Sequence, residues 1–387
     1  MVAPESLLPG AWGVAAEGTT RRPVNAAYRH RLIAGLAGVL VAGVCLGRMA
    51  WPTVERVQGP RVISAGAGPS ALAISPDGRT LYVADYGNPD LNATPATGAG
   101  DTVTPVDLRT GRPGRPITVG SLPDWLAVGP AHRTLYVLLG PAPGSGDVVP
   151  VDLTTGLAGP AMTFPGGAGE PLVSPDQRTL YVAHYLEGGG NVQVVPVDLA
   201  SGRRGAPVTL PKTMGHLALS PDGTALYGAI QGSEIVSVNL RTGRVAAPIR
   251  LGNVPRTLAF SPDGKLLYVL ASIWYGPESA SGPQDLFVIS VASQKVVTSV
   301  ALNAPPSSIA VAPDGRMVYI QSNDTSITPI STATWHQGAT IPAVGLLDAL
   351  EADLGWGVDG STLVISPDGR TLYALNGTGV AVIPVTG

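Results

Sequence analysis

The sequence predicts an all-β fold: a seven-bladed β-propeller closed by one N-terminal strand joining three C-terminal strands, and preceded by one N-terminal transmembrane helix. Three observations predict it. A phrase typified by "SPDGRTLYV" returns seven times, at spacings between 41 and 54 residues. The 50 glycines and 37 prolines recur at fixed phase between short apolar runs, which marks turns rather than low-complexity coil. A single long apolar stretch, uncharged from Leu32 to Gly47 and reaching membrane-spanning length at Trp51 with Arg48 near its end, lies near the N-terminus.

Residues 1–31, an Arg-bearing segment, are expected to be disordered and cytoplasmic. Arg29, His30 and Arg31 then precede Leu32 to Gly47, which carries no charge, and counting on to Trp51 gives about 20 residues, the span of a bilayer's hydrocarbon core. Basic residues upstream place the N-terminus in the cytoplasm and the body outside it. The competing reading is a cleaved signal peptide. It fits less well, because "RMA" puts Arg48 where a small residue is wanted, and the lipoprotein alternative "AGVC" puts Val44 there. Residues 32–51 are therefore read as a signal-anchor helix, 52–60 as a linker and 61–387 as the propeller. The linker stretches at most ~35 Å. The first strand should enter from the face of the constant-length turns, so that face is expected to look toward the membrane.

Aligned on the turn proline, the repeats fall at Pro76, Pro130, Pro175, Pro221, Pro262, Pro313 and Pro367. A period of that size, filled with short strands, is what a propeller blade looks like. Within the phrase, proline presets φ, aspartate can bond its own backbone, and glycine supplies positive φ, so the phrase is a hairpin turn and not an active site. An apolar strand precedes it, "LYV" follows, and later "VPVDLTTG" and a segment such as "APVTL" complete four strands, a to d. The body opens on "PRVISAG", which resembles a d strand, while the last repeat stops after its third strand, "VAVIPVTG". The first strand should complete the last blade and leave no open edge.

These letters resemble the YVTN-type β-propeller repeat, a bacterial family grouped with lactonase-like and surface-layer-like propellers. The resemblance covers about Pro60 to Gly387. It implies the seven-bladed fold and leaves the activity open, because the shared motif is structural and family members differ in what they do.

The chain is 44% hydrophobic and 13% charged, and its body beyond residue 50 carries a net charge near −6. No block of Lys or Arg interrupts that body, so nucleic acid is not expected as a partner. Cys45, the only cysteine, lies in the apolar segment, which excludes an intrachain disulfide and a thiolate metal cluster. H-E-x-x-H, G-x-S-x-G, Walker and EF-hand signatures are all missing.

The a/b and c/d turns share one face and the b/c and d/a loops the other. The long insertions at 85–101, 140–147, 184–191 and 271–285, and the amphipathic 345–360 segment, all fall on the second face. Seven of the tyrosines repeat once per blade and are expected between blades. Tyr86, His184, Tyr185, Trp274 and Tyr275 in b/c loops, and Trp125 and Trp356 in d/a loops, lie on the insertion face and could anchor an unknown protein or small-molecule ligand there. Five residues before the turn prolines, or six, come Asp124, Glu170, His216 and Arg256 of consecutive blades, which could converge at the channel mouth around a divalent cation or an acidic ligand. Set at a wet rim, Asp124 and Glu170 should contribute little to stability. His184 with Glu187 is a weaker pair, while His132 and His336 are expected in solvent.

The functional expectation is a single-pass cell-membrane protein whose exported propeller is a binding or scaffolding module without a resident cofactor. The alternative is a lactonase- or lyase-like enzyme with a metal-assisted site made by Asp124, Glu170 and His216.

Overall fold

The computed structural model describes residues 60–385, apart from 67, 91–96, 130–132, 143–144, 187–191, 211–212, 231–232, 273–283, 344–361 and 377–378. The expected membrane helix at 32–51, and Glu187, His132, Trp274, Tyr275, Trp356 and the 345–360 segment, therefore lie outside the described residues. Among those described, no helix is long and apolar enough to cross a membrane.

Seven antiparallel sheets follow one another along the chain. Their first strands are Pro69–Ile74, Pro123–Val128, Ala168–Val173, Thr213–Leu219, Val254–Phe260, Pro306–Val311 and Leu363–Ile365. Each sheet runs a, b, c, d outward, and the seventh takes its fourth strand from the start of the body: Arg61, Val62 and Ile63 pair with Val382, Ala381 and Val380. The ring is closed as the half-repeats at its two ends require.

The recurring phrase is a self-satisfied turn. Ser75, Ser174, Ser220, Ser261 and Ser366 each donate a hydroxyl hydrogen bond to the aspartate two residues on, at 2.5–2.7 Å, and accept one from the backbone N–H five residues on. The same aspartate oxygen takes the N–H of the residue after the glycine, at 2.9–3.1 Å in six of the turns. The glycine sits at φ near +70° in five turns, and Gln177 is forced to +57° at the same position in blade 3. The proline reaches sideways: a Cβ on Gly223 would lie 3.2 Å from Pro175 of the preceding blade, and one on Gly78 would lie 3.3 Å from Pro367 of blade 7. The turns thus stack proline against glycine around the ring, across the closure as well.

A second stencil ties c/d turns to a/b turns. Leu108, Leu153, Leu199, Leu240, Val291, Thr332 and Val385 each donate an N–H to the carbonyl at the end of their own blade's a/b turn, at 2.7–3.0 Å. Where strand c carries Pro105, Pro150, Pro196 or Pro329, its carbonyl takes the N–H of a d-strand glycine at 2.7–2.8 Å, and the proline ring fills the space a side chain there would need. Proline offers no N–H in return, so the outer strands are broken. Strand d of blade 1 splits into Arg112–Pro113 and Ile117–Thr118. Blade 6 departs from the expected four strands: its sheet has three, and the fourth is reduced to the isolated bridges Ile330↔Gln337 and Ile327↔Ile341.

The core is seven wedges, one between each pair of neighbouring blades. Every repeated tyrosine faces a wedge, and Tyr227 meets Phe260 of the next blade edge-on at 5.3 Å. At the last residue of the c/d turn, blades 1 to 4 have glycine with φ of 66–69°, while blade 5 has Gln294 and blade 6 has Trp335, both also at positive φ. These two side chains reach back to the tyrosine of the preceding blade: the Gln294 amide bonds the Tyr227 hydroxyl, and Trp335 lies 6.2 Å from the Tyr268 ring. Backbone strain at both turns is offset by an added contact across the wedge.

Candidate functional site

The channel is lined by the seven a strands, and six of them carry a register shift close to the insertion face. In blades 1, 2, 5 and 6 the shift follows Pro69, Pro123, Pro255 or Pro306, whose missing N–H breaks the ladder to strand b. The extra residue is Ser70, Asp124, Arg256 or Ser307. A bulge turns that side chain away from the alternation that an unbroken strand would impose, and this decides which of the expected residues meet.

Glu170, His216 and Trp125 meet. Glu170 is 7% exposed, in the first strand of blade 3, and it reaches across to blade 4. One carboxylate oxygen accepts the backbone N–H of Leu217, and the other lies 3.3 Å from Nδ1 of His216. The Trp125 ring of blade 2 lies 5.2 Å from the His216 ring, tilted by 40°. Three consecutive blades thus contribute a carboxylate, an imidazole and an indole to one cluster. The Glu170 carboxylate orients the His216 imidazole through Nδ1.

Asp124 and Arg256 also act on groups of other strands. Asp124 acts on Tyr86 of blade 1, whose hydroxyl is pushed above its ordinary pKa first by burial and then by that carboxylate. Arg256 donates from Nε to the Ser272 hydroxyl of its own blade at 2.9 Å. Of the four residues expected around one cavity, Glu170 and His216 are in contact, and Trp125 packs on the His216 ring. The structure also corrects three readings. Glu170 is buried and bonded to the neighbouring blade, not poised at a wet rim. Trp125 belongs to strand a, not to a d/a loop. The segments at 85–101 and 140–147 are largely hairpin, with strands Thr80–Asp90 and Thr97–Asp107 in blade 1 and Thr134–Ala142 and Ser145–Asp152 in blade 2.

Other expected residues fall as follows. His184 is the penultimate residue of strand b of blade 3, with Nε2 2.6 Å from the Pro165 carbonyl and its ring 5.7 Å from Phe164 of blade 2. Tyr185 follows it and covers Gly167 and Gly169. His336 is exposed, with Nδ1 3.0 Å from the Thr334 carbonyl. Among the described residues no group of three or more His, Cys, Asp or Glu is placed to hold a metal ion.

Neighbouring blades are also latched by neutral groups that sequence reasoning missed. Ser70 donates to the Pro123 carbonyl at 2.7 Å, Thr362 to the side-chain oxygen of Gln321 at 3.0 Å, and Gln321 in turn to the Leu375 carbonyl at 2.6 Å. The proline opening strand a was the available signal for the first of these, because it marks where the bulge begins.

Solved structures share this architecture. The chain superposes on Kuenenia stuttgartiensis hydrazine synthase with a TM-score of 0.64 at 21% identity, over 87% of this chain and 99% of that one. It superposes on the β-propeller domain of Myceliophteria thermophila Cps50 (Swd1) with a TM-score of 0.63 at 14% identity, over 84% and 98%. At such identities the likeness shows the fold, a seven-bladed propeller. No family model matches the sequence, and no curated protein does.

Proposed function

We propose that the chain is a membrane-anchored, extracytoplasmic propeller of the YVTN type that binds a protein or small-molecule partner through its insertion-bearing face. The observation that carries this reading is the contrast between the faces. One is stencilled seven times by the same turn hydrogen bonds. The other changes from blade to blade, from paired strands of 11 residues each in blade 1 to the turn joining Thr371–Leu375 to Val380–Pro384 in blade 7. Variation concentrated on one face of a repeat fold is where partners are selected. Tyr86, Trp125, His184 and Tyr185 stand at that end of their strands. Crosslinking the full chain in its native membrane, with Tyr86→Ala and Trp125→Ala beside the turn-face control Arg109→Ser, tests the reading. The insertion-face variants should lose the crosslinked species that Arg109→Ser keeps, and the reverse pattern would refute it.

A second reading is favoured by the Glu170–His216 pair: an oriented imidazole in a channel mouth can act as a general base, as a lactonase- or lyase-like reaction would need. A divalent cation would have to be held there by Glu170 and His216 with groups outside the described set. Metal analysis of the purified chain, and thermal shifts with Mg²⁺, Ca²⁺ and chelator, separate the two readings.

A further inference from the structure

We propose that the turn face docks flat on an anionic lipid surface, with a ring of cations around the channel's turn-side mouth contacting the headgroups. The proposal rests on the anchored reading for its setting, and on charge and chain path for its content.

The position after the turn glycine is basic in six of seven blades: Arg79, Arg133, Arg178, Lys265, Arg316 and Arg370, with Thr224 in the seventh. All are exposed, and the side chains of Arg79, Lys265 and Arg316 are 80–85% accessible. The carboxylates of the same turns are short and bent back onto Ser hydroxyls and backbone N–H groups. Those of the c/d turns, Asp107, Asp152 and Asp198, are spent on Thr and Ser N–H groups in the same way. The turn half therefore carries a net positive charge, although its aspartates are exposed too and Asp77, Asp263 and Asp314 pair with Arg79, Lys265 and Arg316 at 3.2–4.0 Å.

The two ends of the barrel differ as a whole. Among the described residues, 14 Lys and Arg against nine Asp stand on the turn half, and two, Arg250 and Arg256, against nine Asp and Glu on the insertion half, with Arg115 between. A net charge of −6 for the body conceals this division. The chain enters from the same face: strand Arg61–Ile63 runs antiparallel to Val380–Pro384, which itself runs toward the turns, and the Arg61 guanidinium bonds the Thr110 carbonyl in a c/d turn at 2.8 Å. Ten residues upstream of Arg61 is Trp51, the end of the apolar segment, so a bilayer holding that segment lies within ~35 Å of this face. Cations held that near an anionic leaflet each strengthen surface contact roughly fivefold, and salt screens the effect.

The test uses the full chain with Cys45→Ser and a single dye-labelled cysteine, at Thr224 on the turn face or at Asp324 on the insertion face. It is reconstituted in nanodiscs carrying a headgroup-labelled acceptor lipid. Incorporation into pure phosphatidylcholine discs reports the anchor by itself, so failure there refutes the anchored reading and not the docking. Docking is then read by flotation with vesicles containing 30% phosphatidylserine. In discs, energy transfer from position 224 should rise when phosphatidylserine is added, return to the neutral-lipid level at 0.5 M salt, and exceed that from position 324 throughout. The quadruple variant Arg79→Gln, Arg178→Gln, Arg316→Gln, Arg370→Gln keeps every turn N–H and should lose the phosphatidylserine response. Equal transfer from the two positions, a response unchanged in the quadruple variant, or binding to heparin without any response to phosphatidylserine would each overturn the proposal.

Discussion

Removing residues 1–66 takes the outer strand from blade 7, while removing 1–51 leaves it in place, and the two truncations should differ sharply in stability. The longer deletion loses three residue pairs with strand c, the Arg61 bond to Thr110, and two side chains of the wedge between blades 7 and 1, Ile63 at 4% and Ala65 at 3% exposure. Losing a buried isoleucine costs about 2–5 kcal/mol, and each ladder hydrogen bond about 1 kcal/mol, so the whole strand contributes on the order of 5 kcal/mol or more. That approaches the entire net stability of an ordinary domain. For a body of this size it corresponds to a midpoint lower by roughly 10 °C. The loss also bares the edge of Val380–Pro384 for pairing with other chains. Circular dichroism melts with limited proteolysis at matched concentration read both effects. Equal midpoints would show that the ring does not depend on its N-terminal strand, and the closure reasoning would fall. A single Ile63→Ala change should reproduce about half of the effect without opening the edge.

Glu170→Ala should destabilise the body by about 2–3 kcal/mol, because it strands the Leu217 N–H and the His216 ring, whereas Asp124→Ala should cost under about 1 kcal/mol. Similar denaturation midpoints for the two would refute the interblade role of Glu170. Gln177→Gly should stabilise by about 0.5–1 kcal/mol by relieving a positive φ, and Gly223→Ala should destabilise by about 1–2 kcal/mol, since its Cβ meets Pro175 at positive φ; urea titration checks both signs. The turn carboxylates set an acid limit. Hydrogen bonds from the Ser261 hydroxyl, then from Lys265, hold Asp263 down to about 2, and Asp176, Asp222 and Asp368 are lowered by their own serines first. A depressed folded-state value means stability present above the ordinary carboxylate range and lost as pH falls from about 4 toward 2. Asp263→Asn should make that decline shallower in melts across this range, and an unchanged slope would show that the turn does not sense protonation.

The blade count, the turn chemistry and the ring closure were legible in the sequence because each is local or periodic. Ser, Asp and Gly at fixed offsets satisfy one another within a few residues, and half-repeats at the two ends can be matched by eye. The repeated tyrosines were legible for the same reason, since strand alternation sends the same position into every wedge. The candidate site was legible only in part. Asp124, Glu170, His216 and Arg256 share a register along the chain, but a bulge one residue long rotates Asp124 toward Tyr86 and Arg256 toward Ser272, and leaves Glu170 to cross into blade 4. The reach of Gln294 and Trp335 to the preceding blade's tyrosine is set by packing between blades and has no local sign in the sequence. Blade 6 keeps the c/d letters and loses the d strand. Charge shows the division most plainly: a body near −6 has a cationic end, because a propeller sends alternate turns to opposite faces and only the folded ring gathers the five arginines and one lysine of six distant turns on one face. What the chain encodes within a few residues can be read along it. What depends on side chains from different blades meeting is decided by the ring, where one unpaired residue redirects a side chain by half a turn.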